Sequence, residues 1–470
     1  MVIPSRREAV TVVVLLACMA AQPAAGQTVP IQLTYDPPLT GKDDLAWSPD
    51  GDWLAYVRAW WTGTQFSSAI YKVPAAGGPP TPVTPIAGFW QHRTTWSGDA
   101  SDIYFTQKQA TSRAYVGVPC RVSASSGQPL VLTSRQSWEI VLSRNGRWLA
   151  YMPVVGGNQP QQGIVLLNTI SRRETTIVPE TTPCWQMRFA PNGAMLGYRT
   201  PYAGILALMS GGTYSMYPWY YGLYIINWDW SPAGDRLALT PPLGWTRPFE
   251  GIVYPLVPVL YPYGYPSWSA CGSYIAIGAG LMGSQGIAIQ EVPSGRVFPV
   301  CIACFDGNWP VQAWSPFRDE IAWINNSSLT QATEVFKAPT GLSPVPAVVG
   351  LLTPGSRATI RIKASGDPNR GYVLGASLGT TPGIGTARGT IPLNPDPLLL
   401  ASLSGSPMFH SFAGVLDASG RADAYIDIPG LRPGLVGARF FVAFVTLDPA
   451  QPAGIATISG AVPVFVQPTD

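Results

Sequence analysis

Histidine and charged residues are scarce in this sequence. Its 470 residues include two histidines, and Asp, Glu, Lys and Arg together make up 12% of the chain, about half the usual fraction for a globular protein. The 29 basic and 26 acidic side chains leave a net charge of +3, which excludes the strongly basic surface of a nucleic-acid-binding protein. His92 and His410 lie far apart in the chain, whereas a histidine-based metal centre needs several ligands. We therefore expect no metal and no cofactor.

Long apolar runs are missing beyond the N-terminus. Proline and glycine interrupt the apolar region from Tyr214 to Met282 before it reaches the roughly 20 residues that a membrane helix needs. The 49 glycines and 48 prolines instead indicate many short turns. The hydrophobic fraction of 46%, with 17 tryptophans, excludes a disordered chain. The composition therefore predicts a folded, turn-rich protein without a transmembrane segment.

The N-terminus has the build of an export signal. Arg6 and Arg7 precede an apolar run from Ala9 to Ala20, and small residues follow up to Gly26. This order predicts a cleavable signal peptide over residues 1–26 and a periplasmic or extracellular protein. The alternative is that the residues ending at Cys18 form a lipobox, in which case an acylated Cys18 would anchor the protein to a membrane.

A short peptide recurs along the next two thirds of the chain. Its clearest copy is Trp47-Ser48-Pro49-Asp50-Gly51, which precedes an alternating apolar strand. The copies are 38 to 49 residues apart, a spacing typical of the four-stranded blade of a β-propeller. Seven copies therefore predict seven blades. They begin at residues 47, 96, 142, 189, 230, 268 and 314.

Each repeat has the chemistry of a tight hairpin. Pro49 restricts the backbone, Asp50 can bond its own main chain, and Gly51 can adopt a positive φ. The last repeat is followed by only three strands, whereas a strand near Val29–Tyr35 precedes the first repeat. We therefore predict that the N-terminal strand completes the last blade and closes the ring.

These repeats resemble those of the TolB-type β-propeller family over roughly residues 28–340. The resemblance implies a propeller domain, which we place at residues 27–340. It implies little about activity, because the same repeat builds periplasmic scaffold proteins, the propeller halves of prolyl-oligopeptidase-like peptidases, and secreted lyases. The N-terminal α/β domain of TolB proper does not precede these repeats, which argues against a role in the Tol-Pal envelope complex.

A second domain is predicted after the repeats. Residues 341–355 form a Pro- and Gly-containing linker, and residues 356–470 contain about eight short strands that favour a β-sandwich. This part resembles the small C-terminal all-β modules of secreted bacterial proteins. The fold class is therefore all-β, a seven-bladed propeller followed by a small sandwich. The expected strands are 358–363, 371–378, 391–393, 398–403, 412–416, 424–428, 440–447 and 458–466.

A serine motif in the second domain invites a catalytic interpretation. Ser377 lies in a Gly-Ala-Ser-Leu-Gly pentapeptide, and Asp396 and His410 follow in the order of a hydrolase triad. The nucleophile elbow requires a helix directly after the serine, but a Thr-Thr-Pro-Gly turn follows Ser377. We therefore expect a strand end and no catalytic residues.

The other reactive side chains also favour structural roles. His92 is expected to be a hydrogen-bonded side chain near a blade edge. The pair Asp43 and Asp44 does not match the spacing of a calcium loop. Removal of the signal leaves five cysteines, of which Cys301 and Cys304 are predicted to form a local disulfide.

Aromatic residues are densest in two neighbouring segments. We predict that Tyr217, Trp219, Tyr220, Tyr261 and Tyr263 contact a ligand at one mouth of the ring. The alternative is that they pack between blades, which also requires large side chains.

The combined pattern favours an exported non-catalytic scaffold that binds a protein or a carbohydrate at the cell envelope. One alternative is a secreted hydrolase or lyase that uses the propeller mouth. The other is a structural surface or matrix protein whose sandwich docks to envelope components.

Overall fold

The protein is almost entirely β-structure in a computed structural model. No helix among the described residues is long and apolar enough to cross a membrane. The structure describes residues 29–85, 88–109, 116–154, 162–200, 204–208, 213–215, 227–240, 244–248, 252–256, 262–281, 284–305, 312–326, 333–430 and 433–468.

Seven four-stranded antiparallel sheets form the blades of the propeller. In each blade the first strand ends at the repeat and the others follow outward in chain order. Blade 1 contains β2 (Thr40–Trp47), β3 (Trp53–Trp61), β4 (Phe66–Pro74) and β5 (Thr81–Pro82); blade 2 contains β6 (Phe89–Trp96), β7 (Asp102–Gln109), β8 (Val118–Ser123) and β9 (Leu130–Val131); blade 3 contains β10 (Ser137–Leu142), β11 (Trp148–Pro153), β12 (Gln162–Asn168) and β13 (Glu174–Pro183).

The remaining blades follow the same order. Blade 4 contains β14 (Trp185–Phe189), β15 (Met195–Arg199), β16 (Gly204–Leu208) and β17 (Thr213–Ser215); blade 5 contains β18 (Asn227–Trp230), β19 (Leu237–Thr240), β20 (Gly244–Thr246) and β21 (Tyr254–Pro255); blade 6 contains β22 (Pro262–Trp268), β23 (Tyr274–Leu281), β24 (Ser284–Glu291) and β25 (Val297–Phe305); blade 7 contains β26 (Gln312–Trp314), β27 (Glu320–Asn326), β28 (Thr333–Pro339) and the N-terminal β1 (Ile31–Gln32).

The repeated turn has the predicted geometry. In blade 1 the Ser48 hydroxyl donates to Asp50 and accepts the backbone N–H of Trp53 at 3.0 Å. Gly51 has a φ of +72°, which an L side chain rarely adopts. These bonds satisfy the polar groups of the turn, and therefore each repeat begins its second strand at a fixed place.

The tryptophan of the repeat connects one blade to the preceding one. The Trp47 indole N–H donates to the Ala313 carbonyl at 3.0 Å, and Trp96 donates to Ala46 at 3.2 Å. Trp230, Trp268 and Trp314 make equivalent bonds. Separate clusters of buried apolar residues fill the spaces between successive blades. The repeat therefore encodes contacts between blades as well as the turn within a blade.

The N-terminal strand closes the ring as predicted. β1 pairs with β28, with Ile31 opposite Lys337 and Gln32 opposite Phe336. The next backbone N–H, that of Leu33, donates to the Val335 carbonyl at 2.8 Å. Blade 7 thus takes three strands from the end of the propeller sequence and one from its beginning.

The C-terminal part contains two sheets around one shared hydrophobic core. Its linker is not wholly irregular, because a strand lies inside the predicted 341–355 segment. The first sheet contains β29 (Ala347–Val349), β30 (Arg357–Lys363), β34 (Phe409–His410) and β36 (Arg421–Asp427); the second contains β31 (Gly371–Ser377), β35 (Ala413–Val415), β37 (Arg439–Leu447), β38 (Ile455–Ile458) and β39 (Val462–Phe465); β32 (Ile384–Thr386) and β33 (Gly389–Ile391) form a separate hairpin, and short 3-10 turns cover Pro433–Leu435 and Pro452–Gly454.

The strand predicted at residues 398–403 is wrong, because this segment is helix α1 (Pro397–Leu403). The Asp396 carboxylate caps it and accepts the backbone N–H groups of Leu398 and Leu399, each at 3.0 Å. Pro397 occupies the first turn, where the absence of an N–H carries no penalty. The Asp-Pro pair was the helix-start signal that the apolar run concealed.

The C-terminal domain covers the propeller face that carries the repeated turns. Asp52 of blade 1 pairs with Arg361 at 3.1 Å and also with Arg421. Across the ring, Gln467 donates to the Pro191 carbonyl of blade 4 at 3.0 Å. A domain that contacts blades on opposite sides of the ring lies across the propeller axis. Further contacts join Gly350 to Gly98 of blade 2, Lys363 to Asp319 of blade 7, and the hydrophobic core of the C-terminal part to Ala270 and Cys271 of blade 6.

Candidate functional site

A cavity of about 200 Å³ lies on the propeller axis, and we call it the axial cavity. Most of its lining belongs to the first, innermost strands of blades 2, 3, 4 and 6, and one residue comes from the second strand of blade 4. The C-terminal domain covers the turn-bearing face, and we call the opposite face of the ring the open face. The lining residues are Arg93, Trp138, Glu139, Trp185, Gln186, Arg188, Arg199 and Tyr265.

A repeated backbone irregularity aims these side chains at the axis. The pairing between first and second strands shifts near Asp44, Arg93 and Gln186. These three residues have φ angles of 54°, 62° and 52°. Each lies three positions before the Trp of its repeat or the residue that replaces it. A bulge of this kind redirects a side chain. The lining therefore follows from the repeat, although these residues are not among those predicted from the sequence.

Carboxylates bridge neighbouring first strands around the axis. Asp44 accepts the backbone N–H of Arg93, and Glu139 accepts that of Gln186 at 3.1 Å. Glu139 is 8% exposed and also lies 3.4 Å from the Arg188 guanidinium. The charges of Arg93 and Arg188 are thus countered by acidic groups. The axial cavity therefore does not present a surface of one sign.

Two acidic side chains near the axis have raised pKa values. Asp43 contacts solvent, but surrounding protein desolvates it and Asp44 repels it, so that its pKa rises to about 6. Burial raises the pKa of Asp229 to about 6, although Arg188 and two backbone N–H groups oppose the shift. One of these donors is the Trp268 N–H, at 3.1 Å. Both carboxyl groups therefore change charge near pH 6.

His92 directly precedes Arg93, one of the arginines that line the axial cavity. Its Nδ1 is 3.1 Å from the Thr106 hydroxyl, whereas its Nε2 has no hydrogen-bond partner among the described residues. Burial, together with the positive charges of Arg93 and Lys108, lowers the pKa of His92 to about 3. His92 is thus neutral at physiological pH. Within the described part of the chain, no three His, Cys, Asp or Glu side chains are grouped as metal ligands.

The predicted aromatic contact residues fall largely outside the described part of the chain. Tyr217, Trp219, Tyr220 and Tyr261 lie outside the described residues, as does the side chain of Tyr263. Two other tyrosines from the same segments have separate roles. Tyr265 lines the axial cavity and is 41% exposed, whereas Tyr254 stacks on Trp245 at a centroid distance of 4.4 Å.

The serine motif does not form a triad. Ser377 is fully buried, and its hydroxyl donates to Asp396 at 2.7 Å. Nε2 of His410 instead lies 2.9 Å from Asp427, in the other sheet of the domain. Ser377 therefore holds the capping aspartate of α1 in place.

The cysteines divide into bonded and free side chains. Cys301 is disulfide-bonded, whereas Cys120, Cys184 and Cys271 carry free thiols. The predicted partner, Cys304, has its side chain outside the described residues. The pairing of these two cysteines therefore stays a prediction.

Comparisons with known proteins support the fold. No protein-family model and no curated protein matches the chain. Among solved structures, an oligogalacturonate lyase in complex with manganese is 12% identical, with a TM-score of 0.52 over 67% of this chain and 98% of that one. An oligogalacturonate lyase from Vibrio parahaemolyticus is 10% identical, with a TM-score of 0.54 over 67% of this chain and 94% of that one.

TolB from Acinetobacter baumannii is 16% identical over 53% of this chain and 63% of that one, with a TM-score of 0.39. At such identities, structural similarity identifies an architecture and does not transfer an activity. The blade topology, together with the similarity to the two lyase structures, establishes that the chain is a β-propeller protein.

Proposed function

We propose that the protein is an exported, non-catalytic binding scaffold whose propeller takes a protein or carbohydrate ligand at its open face. One observation carries this proposal: aromatic and polar side chains from the first strands of four blades line the axial cavity, while the C-terminal domain covers the turn-bearing face. Aromatic side chains and a few polar groups that converge on a concave site are the usual composition of a ligand pocket. Export rests on the signal-like residues 1–26.

The aromatic residues selected from the sequence are part of this proposal. Tyr263 lies two residues before Tyr265 in the same strand, and Tyr265 lines the cavity. We place Tyr217, Trp219, Tyr220 and Tyr261 among the further ligand contacts on the open face. If they instead pack between blades, truncation of Trp219 or Tyr263 to Ala costs about 3 kcal/mol of stability.

A hydrolase or lyase is the second candidate, because Asp43 has a pKa raised to about 6 near Arg93. A carboxyl group that titrates near neutral pH suits general acid–base catalysis. The structural-protein alternative has less support, because Arg361, Lys363 and Arg421 of the sandwich already contact the propeller.

Glycan and peptide arrays probed with the purified protein test this function. Tyr265→Ala and Trp185→Ala should weaken binding at least tenfold because they remove aromatic contacts in the cavity. Tyr254→Ala is the matched control, since its ring packs on Trp245 and its loss should lower stability without changing the array profile. Binding that none of the cavity variants alters, or turnover that Asp43→Asn abolishes, would contradict the proposal.

A further inference from the structure

Three aromatic side chains meet on the propeller surface where blades 1 and 2 adjoin. Trp61 ends β3, Phe66 begins β4, and the two residues are directly opposite each other across the hairpin. Their ring centroids are 4.8 Å apart, and Phe66 lies 6.0 Å from the ring of Trp90 in β6. Trp61 and Phe66 are 48% and 53% exposed. We call these three residues the aromatic corner.

The aromatic corner lies on the open face. The hairpin between Trp61 and Phe66 joins the second and third strands, at the blade end opposite the repeated turns. Trp90 precedes Arg93 by three residues in β6, a rise of about 10 Å along a strand. Because Arg93 lines the axial cavity, an extended ligand of a few units can contact both places.

The exposed area of the corner fits a small partner. An aromatic side chain buries roughly 150–250 Å² when fully covered, and Trp61 and Phe66 each expose about half of their surface. Together they offer on the order of 200 Å², which compares with about 800 Å² per partner in a stable dimer. The two side chains therefore supply enough apolar area for the face of one ring and, by themselves, only about a quarter of what each partner in a stable dimer buries.

The strand pairing at Trp61 disfavours a peptide bound there as an added strand. Strand β3 is hydrogen-bonded on both sides: Trp60 pairs with Thr40 of β2 and with Ser67 of β4. Recognition by strand addition requires a free edge. A ligand at Trp61 must therefore bind through the ring faces of the corner.

The ring orientations and the polar rim favour a sugar. The rings of Trp61 and Phe66 are inclined by 64°, and those of Phe66 and Trp90 by 89°, so they form a corner and not a flat surface. The negative face of an aromatic ring attracts the C–H groups on one face of a pyranose. Exposed Thr62 and Thr64 in the hairpin supply hydroxyl groups, and the Lys108 ammonium lies 5.8 Å from the Trp90 centroid.

We propose that the aromatic corner is a stacking subsite for one neutral sugar ring of an oligosaccharide that extends toward the axial cavity. The inference rests on the proposed function, because it assigns carbohydrate as the ligand class of the same open face. The axial cavity and the corner then hold successive units of one chain.

Binding of neutral oligosaccharides tests this subsite. Cello-, xylo- and chito-oligosaccharides are screened on an array, and the tightest is titrated by calorimetry. Trp61→Ala and Phe66→Ala should weaken binding about tenfold or more, as loss of an aromatic anchor does. Trp61→Phe should retain most of the affinity. Tyr35→Ala is the control, because Tyr35 is 78% exposed and makes no ring contact in the described part of the chain. The affinity of this variant for the oligosaccharide should stay within twofold of that of the wild type.

Several outcomes overturn the subsite. They are failure of every neutral oligosaccharide to bind, unchanged affinity in Trp61→Ala, and a Trp61-dependent dimer or vesicle interaction in place of glycan binding. A peptide ligand that depends on Tyr265 but not on Trp61 would refute the subsite and keep the proposed function. Oligosaccharide binding that depends on Trp61 but not on Tyr265 or Trp185 would support stacking at the aromatic corner. It would refute the extension of the ligand to the axial cavity.

Discussion

Lys42 Nζ lies 2.8 Å from the Glu334 carboxylate, and this pair joins the first strand of blade 1 to the third strand of blade 7. The same ammonium lies 2.7 Å from Asp36, which also pairs with Arg58 at 2.6 Å. The Lys42 side chain is fully buried. The seam where the ring closes is thus held by a buried cation between two carboxylates, in addition to the backbone bonds of β1.

Replacing the buried lysine should weaken this seam. Lys42→Met leaves Asp36 and Glu334 without their shared cation, and removal of one partner of a buried ion pair costs about 3–5 kcal/mol. Urea denaturation measures the change in the free energy of unfolding. Arg357→Met is the control, because Arg357 pairs with Asp427 at the surface and its side chain is 57% exposed. This substitution should lower the free energy of unfolding by at most about 1 kcal/mol. Equal effects of the two variants would refute the role of the buried pair.

Deleting residues 28–35 should lower the melting temperature sharply. The deletion removes β1 from blade 7 and Leu33 from the cluster between blades 7 and 1. It also exposes the edge of β28. A shorter deletion that ends at Pro30 leaves the strand in place and should have little effect. An unchanged thermal melt of the longer deletion would argue against closure by the N-terminal strand.

Removing the charges between the domains should uncouple their unfolding. Asp52 pairs with Arg361 and Arg421, and Lys363 lies 2.7 Å from Asp319. We expect a single calorimetric transition for the wild type and two separate transitions for the double variant Asp52→Ala/Lys363→Ala. Asp448→Ala breaks an ion pair with Arg370 inside the C-terminal domain and should keep the single transition. A single transition in the double variant would contradict the prediction.

Asp229 should make the protein less stable as the pH rises from about 4 to about 6. Burial raises its folded-state pKa to about 6, so across this window the unfolded state releases the proton more readily and is favoured. Asp229→Asn removes this dependence and keeps a hydrogen-bond acceptor for Trp268. Denaturation at pH 4 and pH 7 should show the variant gaining roughly 1–3 kcal/mol relative to wild type at the higher pH. A pH-independent difference would refute the raised pKa.

Ser377→Ala should reduce stability and leave any hydrolytic activity unchanged. The Ser377 hydroxyl is buried, donates to Asp396 and accepts the Asn394 N–H at 3.0 Å, so its removal leaves buried polar groups unpaired at a cost of about 1–3 kcal/mol. Ester and peptide hydrolysis assays on both proteins, beside thermal melts, separate the two effects. Loss of a real activity in the variant would restore the catalytic interpretation.

Much of the fold was predictable because its rules are local. The Ser48, Asp50 and Gly51 turn carries its own hydrogen bonds and backbone geometry, so its recurrence predicted the blades and their number. The helix after Asp396 was missed although its cap is equally local, because the apolar residues that follow are compatible with a strand.

The candidate site was less predictable from sequence. Arg93, Glu139 and Gln186 lie about 45 residues apart in successive repeats, and each is an ordinary polar residue in its own segment. Their shared position three residues before the repeat's Trp, or the residue that replaces it, was a usable signal. The aromatic corner had no such signal in the sequence, because Phe66 and Trp90 meet only where two blades adjoin.

The sequence by itself determined the repeating unit, the strand count of each blade and the strand that closes the ring. Each of these features depends on the chemistry of a turn and on the alternation of apolar and polar residues within a short segment. Only the tertiary structure decided which face the C-terminal domain covers. That outcome depends on where Arg361, Arg421 and Gln467 contact the propeller, and contacts between residues hundreds of positions apart leave no periodic trace in the sequence.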